Sequence, residues 1–366
     1  MTGRHSRANL LFFLCTVLFA AAPAAHAQSK YAPKVLVIAT YETGKDTGDV
    51  PGELQYWVER EHLSQSIAVP GIEHPVLTNG KGLYALLSGV TSRSAVRLMA
   101  LAMDPRFDLR KTYVILDGIA GGNPATDTLA DAVWIKQVID GDPAYEIDSR
   151  EIPKDWPYGT IALGATKPDS VPADVSSAPA AGVSSEGSGG VGRMVYTLNP
   201  KLVDWAFRTS RGVAISDTPG MKELRAKFSA FPAAQRKPAV LTGDSLGTDH
   251  FWHGAILNQW ATDWVHNYTR GQGRFAISDC EDQGIVLAMQ ELNTLHRVDL
   301  NRLLVLRTVS NFTVPPPGVP AEKDLFDSLV HSAGYIPALD SDYNVGDAVA
   351  EALLAGWSKY ENTTPQ

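Results

Sequence analysis

Short apolar runs alternate with amphipathic segments along most of the chain. The apolar runs predict buried strands at residues 34–40, 83–88, 113–116, 238–241 and 302–309. Apolar residues at helical spacing predict helices at residues 51–66, 91–103, 251–268, 284–295 and 345–357. In the helix at 91–103, this spacing comes from Val96, Met99 and Ala100. Strands that alternate with helices are typical of an α/β fold with a largely parallel or mixed sheet.

The N-terminus has the pattern of a secretory signal peptide. Arg4 and Arg7 precede an apolar stretch at residues 10–20, and small residues follow at Ala25-His26-Ala27. The alternative is a membrane anchor, but the stretch is short for a span of about 20 residues. We therefore expect residues 1–27 to be cleaved off. The remaining chain, 28–366, is then expected to be periplasmic or secreted, without an integral membrane span.

The composition is that of an ordinary globular protein. Of the 366 residues, 44% are hydrophobic and 8% are aromatic, which is enough for an apolar core. The net charge of −8 argues against nucleic acid as a partner, because phosphates repel an excess of carboxylates. Removal of residues 1–27 leaves Cys280 as the only cysteine, so no intramolecular disulfide is expected.

One segment interrupts the alternation of strands and helices. Residues 165–192 contain no aromatic residue, leucine or isoleucine and are rich in serine, alanine, glycine and proline. This composition is typical of a linker between domains, and equally of a flexible loop that covers a site.

A glycine-rich segment follows the strand predicted at residues 113–116. Its sequence is Asp117-Gly-Ile-Ala-Gly-Gly-Asn-Pro124. The glycines suit a tight turn at the end of the strand, or a turn whose backbone N–H groups approach an anion or a ribose.

A second segment, Thr242-Gly-Asp-Ser-Leu-Gly-Thr-Asp-His-Phe-Trp-His-Gly254, also lies between a strand and a helix. Asp249 could cap that helix, whereas Phe251 or Trp252 could stack on a flat ring. His250 and His253 are three residues apart, but no further ligand stands near them in helical register. Zinc sites generally need three or four ligands, so no metal is predicted.

Charged residues mark two further segments. Asp279, Glu281 and Asp282 crowd three carboxylates in front of an apolar helix, where they favour the helix dipole or could bind the hydroxyls of a sugar. Arg307 lies in the middle of an apolar strand that ends in Ser310-Asn311. A buried arginine needs an anion or a carboxylate, and strand ends are where α/β sheets place ligands.

Together these segments resemble the purine nucleoside permease family, a secreted branch of the nucleoside phosphorylase and nucleosidase superfamily. The resemblance covers nearly the whole chain after residue 27 and includes Val69-Pro-Gly71, Phe107-Asp-Leu-Arg-Lys-Thr-Tyr113, Gly118-Ile-Ala-Gly-Gly-Asn-Pro124, Arg150-Glu-Ile-Pro-Lys-Asp-Trp156, Asp249-His-Phe-Trp-His-Gly254, Glu281-Asp-Gln283 and Arg307-Thr-Val-Ser-Asn311. It implies a single α/β domain whose mixed, twisted sheet curls into a partial barrel surrounded by helices. It also makes a homo-oligomer plausible.

The resemblance implies roles for residues that would bind a purine nucleoside. Asn311 replaces the usual aspartic acid that protonates the purine, which favours 6-oxopurines over adenosine. Glu281 matches the glutamate that binds the ribose, and Cys280 stands where a methionine usually contacts the sugar. Phe251 matches the aromatic residue that stacks on the base. The remaining substrate-binding positions implied are Asp249, Gly118, Ala120, Gly121 and Ser310.

The same resemblance leaves the nucleophile open between water and inorganic phosphate. A glutamate that activates water matches Glu53, with Glu42 as the rival. Arg307 would orient the nucleophile or bind phosphate. Gly48-Asp49 resembles the phosphate turn of phosphorylases, although the nearest arginine is Arg60. No cofactor is expected besides phosphate as a possible co-substrate.

Two functions from different classes follow from these roles. The first is cleavage of the N-glycosidic bond of a purine nucleoside by hydrolysis or phosphorolysis. The second is non-catalytic nucleoside binding that assists uptake, as the family name suggests.

Overall fold

The computed structural model describes residues 30–172 and 193–366. The predicted signal peptide and residues 173–192 of the low-complexity segment lie outside these ranges. At the described end of that segment, Asp169 donates its backbone N–H to the Tyr158 hydroxyl at 3.1 Å. The Asp169 carboxylate accepts a hydrogen bond from Asn267 at 2.8 Å.

The described residues form one large mixed sheet and a separate two-stranded sheet. The strands are β1 (Val35–Ala39), β2 (Gln65–Ile67), β3 (Val76–Thr78), β4 (Leu83–Leu87), β5 (Tyr113–Gly122), β6 (Ala132–Asp140), β7 (Ala144–Glu146), β8 (Thr160–Ala162), β9 (Val195–Thr197), β10 (Val240–Gly247), β11 (Phe275–Asp279) and β12 (Leu303–Phe312). The large sheet has the order β11-β10-β6-β12-β5-β1-β4-β3-β2, with β9 on β6, while β7 pairs with β8.

The long strand β5 closes part of this sheet into a barrel. β12 runs parallel to β5 along one edge. On the other edge, the first half of β5 pairs in parallel with β1, and Gly121 and Gly122 pair antiparallel with β11. Strands β5, β12, β6, β10 and β11 therefore form a closed ring. The predicted α/β fold with a mixed sheet curled into a barrel is confirmed.

Helices cover the sheet. They are α1 (Gln55–Arg60), α2 (Arg93–Met103), α3 (Pro200–Ser210), α4 (Pro219–Ala226), α5 (Ala255–Thr269), α6 (Asp282–Thr294), α7 (Ala321–His331), α8 (Tyr335–Ala355) and α9 (Trp357–Tyr360). α8 packs against β5 and β12, and α2 packs against α6. Within residues 30–172 and 193–366, no helix has both the length and the apolar character to cross a membrane.

Several predicted boundaries were wrong. The strand predicted at 113–116 continues through Gly122, so the glycine-rich segment is strand rather than turn. The helix predicted at 51–66 is only α1, because the chain then turns into β2. The last helix starts ten residues earlier than predicted, at Tyr335. In α2, Val96 is 67% exposed, and the buried face consists of Ser94, Leu98, Leu101 and Ala102.

The closure of the barrel predicts that Gly122→Ala destabilises the fold. A Cβ at position 122 would lie 2.6 Å from Cγ1 and 2.8 Å from Cγ2 of the buried Val309. Overpacking of this kind costs about 1–3 kcal/mol of unfolding free energy, measurable by chemical denaturation. Gly212→Ala is the matched control, since a Cβ at position 212 would meet no described atom within 4 Å beyond its chain neighbours. Equal unfolding free energies for the two variants would contradict this role of Gly122.

Candidate functional site

A cavity of about 700 Å³ opens where several strands end. Its walls come from the residues that follow β1, from the glycine-rich half of β5, and from the ends of β11 and β12. Ligands in α/β folds commonly bind at such strand ends. The volume is in the usual range for small-molecule sites, about 300–1,000 Å³.

Glu53 is the buried carboxylate on one wall of this cavity. Its Oε2 accepts hydrogen bonds from the backbone N–H and the hydroxyl of Thr40, both at 2.7 Å. Its Oε1 accepts from the backbone N–H of Ile119 at 2.8 Å. Burial raises the pKa of Glu53 to about 7, although the charge of Arg307 lowers it. A fixed carboxylate with this pKa suits a general base near neutral pH.

The rival Glu42 has a different place. Its carboxylate accepts hydrogen bonds from the backbone N–H groups of Thr43 at 2.8 Å, Gln55 at 2.6 Å and Gly52. These bonds hold the loop between β1 and α1. Of the two glutamates, only Glu53 lines the cavity.

Arg307 lies behind the cavity wall and is fully buried. Its Nη2 is 3.0 Å from Glu281 Oε2, 2.8 Å from Asp282 Oδ1 and 3.9 Å from Asp279 Oδ1. Burial alone would lower the pKa of Arg307, but these carboxylates raise it well above its usual value. The apolar strand β12 therefore tolerates a charge because three carboxylates surround it.

Gly118 lies between the side chains of Arg307 and Glu53. A Cβ at this position would lie 2.4 Å from Glu53 Oε1 and 2.6 Å from Arg307 Nη1. Gly118 and Arg307 do not belong to the cavity lining, whereas Ala120 and Gly121 do. The role of Gly118 is thus to let two charged side chains approach.

Glu281 lines the cavity and is held from two sides. Its Oε1 accepts from the backbone N–H of Thr91 at 3.2 Å, and its Oε2 accepts from Arg307 at 3.0 Å. The neighbouring Cys280 also lines the cavity. Burial raises the pKa of its thiol, so it is a neutral contact surface rather than a nucleophile.

Ser310 and Asn311 bring the end of β12 into the cavity. Ser310 Oγ lies 2.9 Å from Asn311 Oδ1 and can donate to it. Asn311 Nδ2 donates to the Phe312 carbonyl at 3.2 Å with one of its two protons. Within residues 30–172 and 193–366 the second N–H has no acceptor, so it can donate to a ligand.

Phe251 and Trp252 line the same cavity from the loop before α5. Phe251 is 48% exposed, so much of its ring is accessible from the solvent. Asp249 is not part of the lining. It accepts hydrogen bonds from Ser92 N at 2.8 Å and Ser92 Oγ at 2.6 Å, and so joins the Phe251 loop to the start of α2.

Two tyrosines that line the cavity were not predicted from the sequence. Tyr41 donates its hydroxyl to the Tyr335 hydroxyl at 3.0 Å, and Tyr335 donates to the Pro51 carbonyl at 3.0 Å. Both line the cavity and connect β1 with α8. No local motif predicts them, because their hydrogen-bond partners lie nearly 300 positions away in the sequence.

The groups that could ligate a metal lie apart from Glu53 and Glu281. His253 Nε2 lies 2.9 Å from Asp324 Oδ2, so this histidine faces an acidic partner. Among the described residues, Glu61, Asp347 and Glu351 bring one carboxylate oxygen each within 4.8 Å of one another, away from the cavity.

The ion cluster predicts a large loss of stability for Arg307→Met. The variant leaves Glu281, Asp282 and Asp279 buried without their cation, which costs about 3–5 kcal/mol of unfolding free energy. Arg110→Met is the control, because Arg110 is exposed and its salt bridge with Asp108 lies at the protein surface. A similar small change in both variants, measured by denaturant unfolding, would show that the cluster is not a stabilising unit.

Solved structures whose backbones superpose on that of this chain include two nucleosidases. The Streptococcus pneumoniae MTA/SAH nucleosidase is 17% identical, with a TM-score of 0.49, and the match covers 87% of this chain and 99% of that one. The Helicobacter pylori 5'-methylthioadenosine/S-adenosylhomocysteine nucleosidase is 10% identical, with a TM-score of 0.49 and coverage of 89% and 99%.

Sequence comparison identifies the family. A Candida albicans (strain SC5314) protein named purine nucleoside permease is 25% identical over 354 residues, which is 92% of this chain and 80% of that protein. A probable purine nucleoside permease of Schizosaccharomyces pombe is 24% identical over 278 residues, 73% of this chain and 74% of that protein. The family profile described as Purine nucleoside permease (NUP) matches residues 32–365. The chain therefore belongs to the purine nucleoside permease family.

Proposed function

We propose that this protein is exported, binds a purine nucleoside in the 700 Å³ cavity and cleaves its N-glycosidic bond by hydrolysis. The observation that carries the proposal is the set of side chains that line this cavity. Glu53, Glu281 and Asn311 all line the cavity, with Phe251 at the exposed side. This reaction needs a general base, a carboxylate that binds the sugar and an amide that binds the purine.

The transition state of glycosidic cleavage carries positive charge on the sugar and negative charge on the leaving base. Glu281 would accept hydrogen bonds from the ribose hydroxyls, and Phe251 would stack on the purine. Asn311 would donate its free N–H to the departing base. Glu53 would take a proton from the attacking water, so that the oxygen of the water forms the new bond to the sugar.

Several observations favour water over phosphate as the nucleophile. Phosphate next to Glu53 would place two anions together, and Arg307 is already surrounded by three carboxylates. Arg60 pairs with Asp340 at 2.8 Å and stacks on Tyr56, outside the cavity lining. The arginines considered for phosphate are therefore both engaged elsewhere.

Non-catalytic nucleoside binding that assists uptake is the second candidate. The names of the relatives favour it, since both are called permeases. In that case the same cavity would hold the nucleoside, and the raised pKa of Glu53 would have no chemical use.

One experiment separates these functions. Purified protein is incubated with inosine, with and without inorganic phosphate, and free hypoxanthine is measured. We expect hypoxanthine in both samples at equal rates. Hypoxanthine only with phosphate would identify a phosphorylase, and saturable inosine binding without product would identify a binding protein.

Glu53→Gln tests the general base. The glutamine keeps the size and one acceptor oxygen but cannot take a proton, so kcat should fall by about 10²–10⁴-fold with little change in inosine affinity. In the unmodified protein, kcat/KM should fall as the pH drops below about 7, because Glu53 then becomes protonated. Glu42→Gln is the matched control and should keep this pH dependence. Retained activity in Glu53→Gln would exclude Glu53 as the base.

Asn311→Asp tests which purine base the protein prefers. A neutral carboxylic acid can transfer a proton to purine N7 and accept a hydrogen bond from the 6-amino group, whereas an amide has no acidic proton to transfer. The ratio of kcat/KM for adenosine to that for inosine should rise by about tenfold or more. Asn311→Ala should lower cleavage of both nucleosides. An unchanged ratio in Asn311→Asp would mean that Asn311 does not contact the base.

A further inference from the structure

A residue with an unfavourable backbone conformation lies on the cavity wall beside Glu281. Thr91 has a φ of 65°, in the left-handed region that branched side chains rarely occupy. Thr91 lines the cavity, and its backbone N–H donates to Glu281 Oε1 at 3.2 Å. Backbone strain of this kind persists only where the surrounding contacts hold it, and it often accompanies function.

The next residue, Ser92, provides the contact that holds Thr91. Ser92 donates its backbone N–H to Asp249 Oδ1 at 2.8 Å and its hydroxyl to Asp249 Oδ2 at 2.6 Å. Both oxygens of one carboxylate thus bind the same residue, which fixes the peptide between Thr91 and Ser92. Asp249 also brings a negative charge to the start of α2, where the helix dipole favours it.

Asp249 also contacts the segment that carries Glu281. Gln283, in the first turn of α6, donates its Nε2 to Asp249 Oδ1 at 3.2 Å. Phe251 follows Asp249 by two residues in the loop before α5. One carboxylate therefore joins the residues before α2, the start of α6 and the Phe251 loop, which all contribute to the cavity wall.

The hydrogen bond from Thr91 determines how Glu281 faces a ligand. Arg307 donates to Glu281 Oε2 at 3.0 Å, and Thr91 donates to Oε1. With both oxygens held, the plane of the carboxylate is fixed, and each oxygen keeps a lone pair for a hydroxyl group. Without the Thr91 bond, Arg307 holds only Oε2, and the carboxylate can rotate about its last carbon–carbon bond. Two neighbouring hydroxyls of a sugar then lose the pair of acceptors that they need.

We propose that Asp249 is a positioning residue for the sugar. By holding Ser92 it keeps Thr91 in the strained conformation, and the Thr91 N–H then orients Glu281 towards two hydroxyls of the ribose. The proposal rests on the proposed function, because it requires that Glu281 binds the sugar. Asp249 itself lies outside the cavity lining and acts through Thr91.

Isothermal titration calorimetry with non-cleavable inosine analogues, in which carbon joins the sugar to the base, tests this role. Asp249→Ala should weaken binding of the ribose analogue about tenfold, but that of its 2',3'-dideoxy form by less than about twofold. A role in holding the Phe251 loop alone would weaken both analogues equally, because both carry the base. Equal weakening of the two analogues, or no change in either, would overturn the proposal.

Asp148→Ala is the matched control. Asp148 is also an exposed aspartate that accepts a hydrogen bond from a backbone N–H, that of Arg150 at 2.9 Å. It does not belong to the cavity lining. This variant should bind both analogues as the unmodified protein does.

Substitutions at position 91 test whether the strain connects Asp249 to Glu281. Glycine adopts positive φ freely, so in a Thr91→Gly background Asp249→Ala should weaken binding of the ribose analogue by less than about threefold. Thr91→Val keeps the branched side chain without the hydroxyl, so in that background Asp249→Ala should keep its effect of about tenfold. An equal effect in both backgrounds would contradict the proposal.

Hydrogen exchange of the Thr91 amide, followed by NMR, tests the same connection without a ligand. Asp249→Ala should speed up this exchange about tenfold, because the bond to Glu281 no longer protects the amide, and Asp148→Ala should not. An unchanged rate in Asp249→Ala would overturn the proposal. If the rate rises but neither analogue binds, the proposed function fails while the positioning of Glu281 by Asp249 stands.

Discussion

The buried guanidinium of Arg307 and its carboxylates determine how the rest of the site is arranged. Arg307 projects from the middle of β12, and its partners Asp279, Glu281 and Asp282 lie where β11 passes into α6. These ion pairs join two strands of the barrel and fix Glu281 on the cavity wall. Gly118 brings the same guanidinium close to Glu53. Since a lone charge in this position would be strongly destabilising, Arg307 and its carboxylates depend on one another to be buried here.

The backbone of β5 is the second feature on which the site depends. One strand pairs with β1 at its start and with β11 at its end, and its glycines accommodate the close approach of Val309, Glu53 and Arg307. The same strand presents the Ile119 N–H to Glu53 and the Asp117 carboxylate to Trp57. The closure of the barrel and the chemistry of the site are therefore properties of one segment.

Sequence patterns predicted the parts of the molecule that local residues decide. Apolar runs located β1, β4 and β12. The alternation of strands and helices indicated the α/β class, and the barrel followed from the resemblance. The pattern failed at Gly118 to Gly122, where glycines usually indicate a turn, because the pairings with β11 and β12 keep them in a strand. Arg307 was expected to meet an anion or a carboxylate, but its partners could not be chosen from spacing. Tyr335 was missed, since α8 meets the site only in three dimensions.

The proposed function requires a nucleoside that lies with its ribose on Glu281 and its base on Asn311. A crystal structure with a non-cleavable inosine analogue, whose sugar is joined to the base through carbon, tests this most directly. We expect the ribose hydroxyls within hydrogen-bond distance of Glu281, the purine N7 or O6 next to Asn311 Nδ2, and a water between Glu53 and the anomeric carbon. An analogue bound outside the cavity, or with its base at Glu281, would contradict this placement.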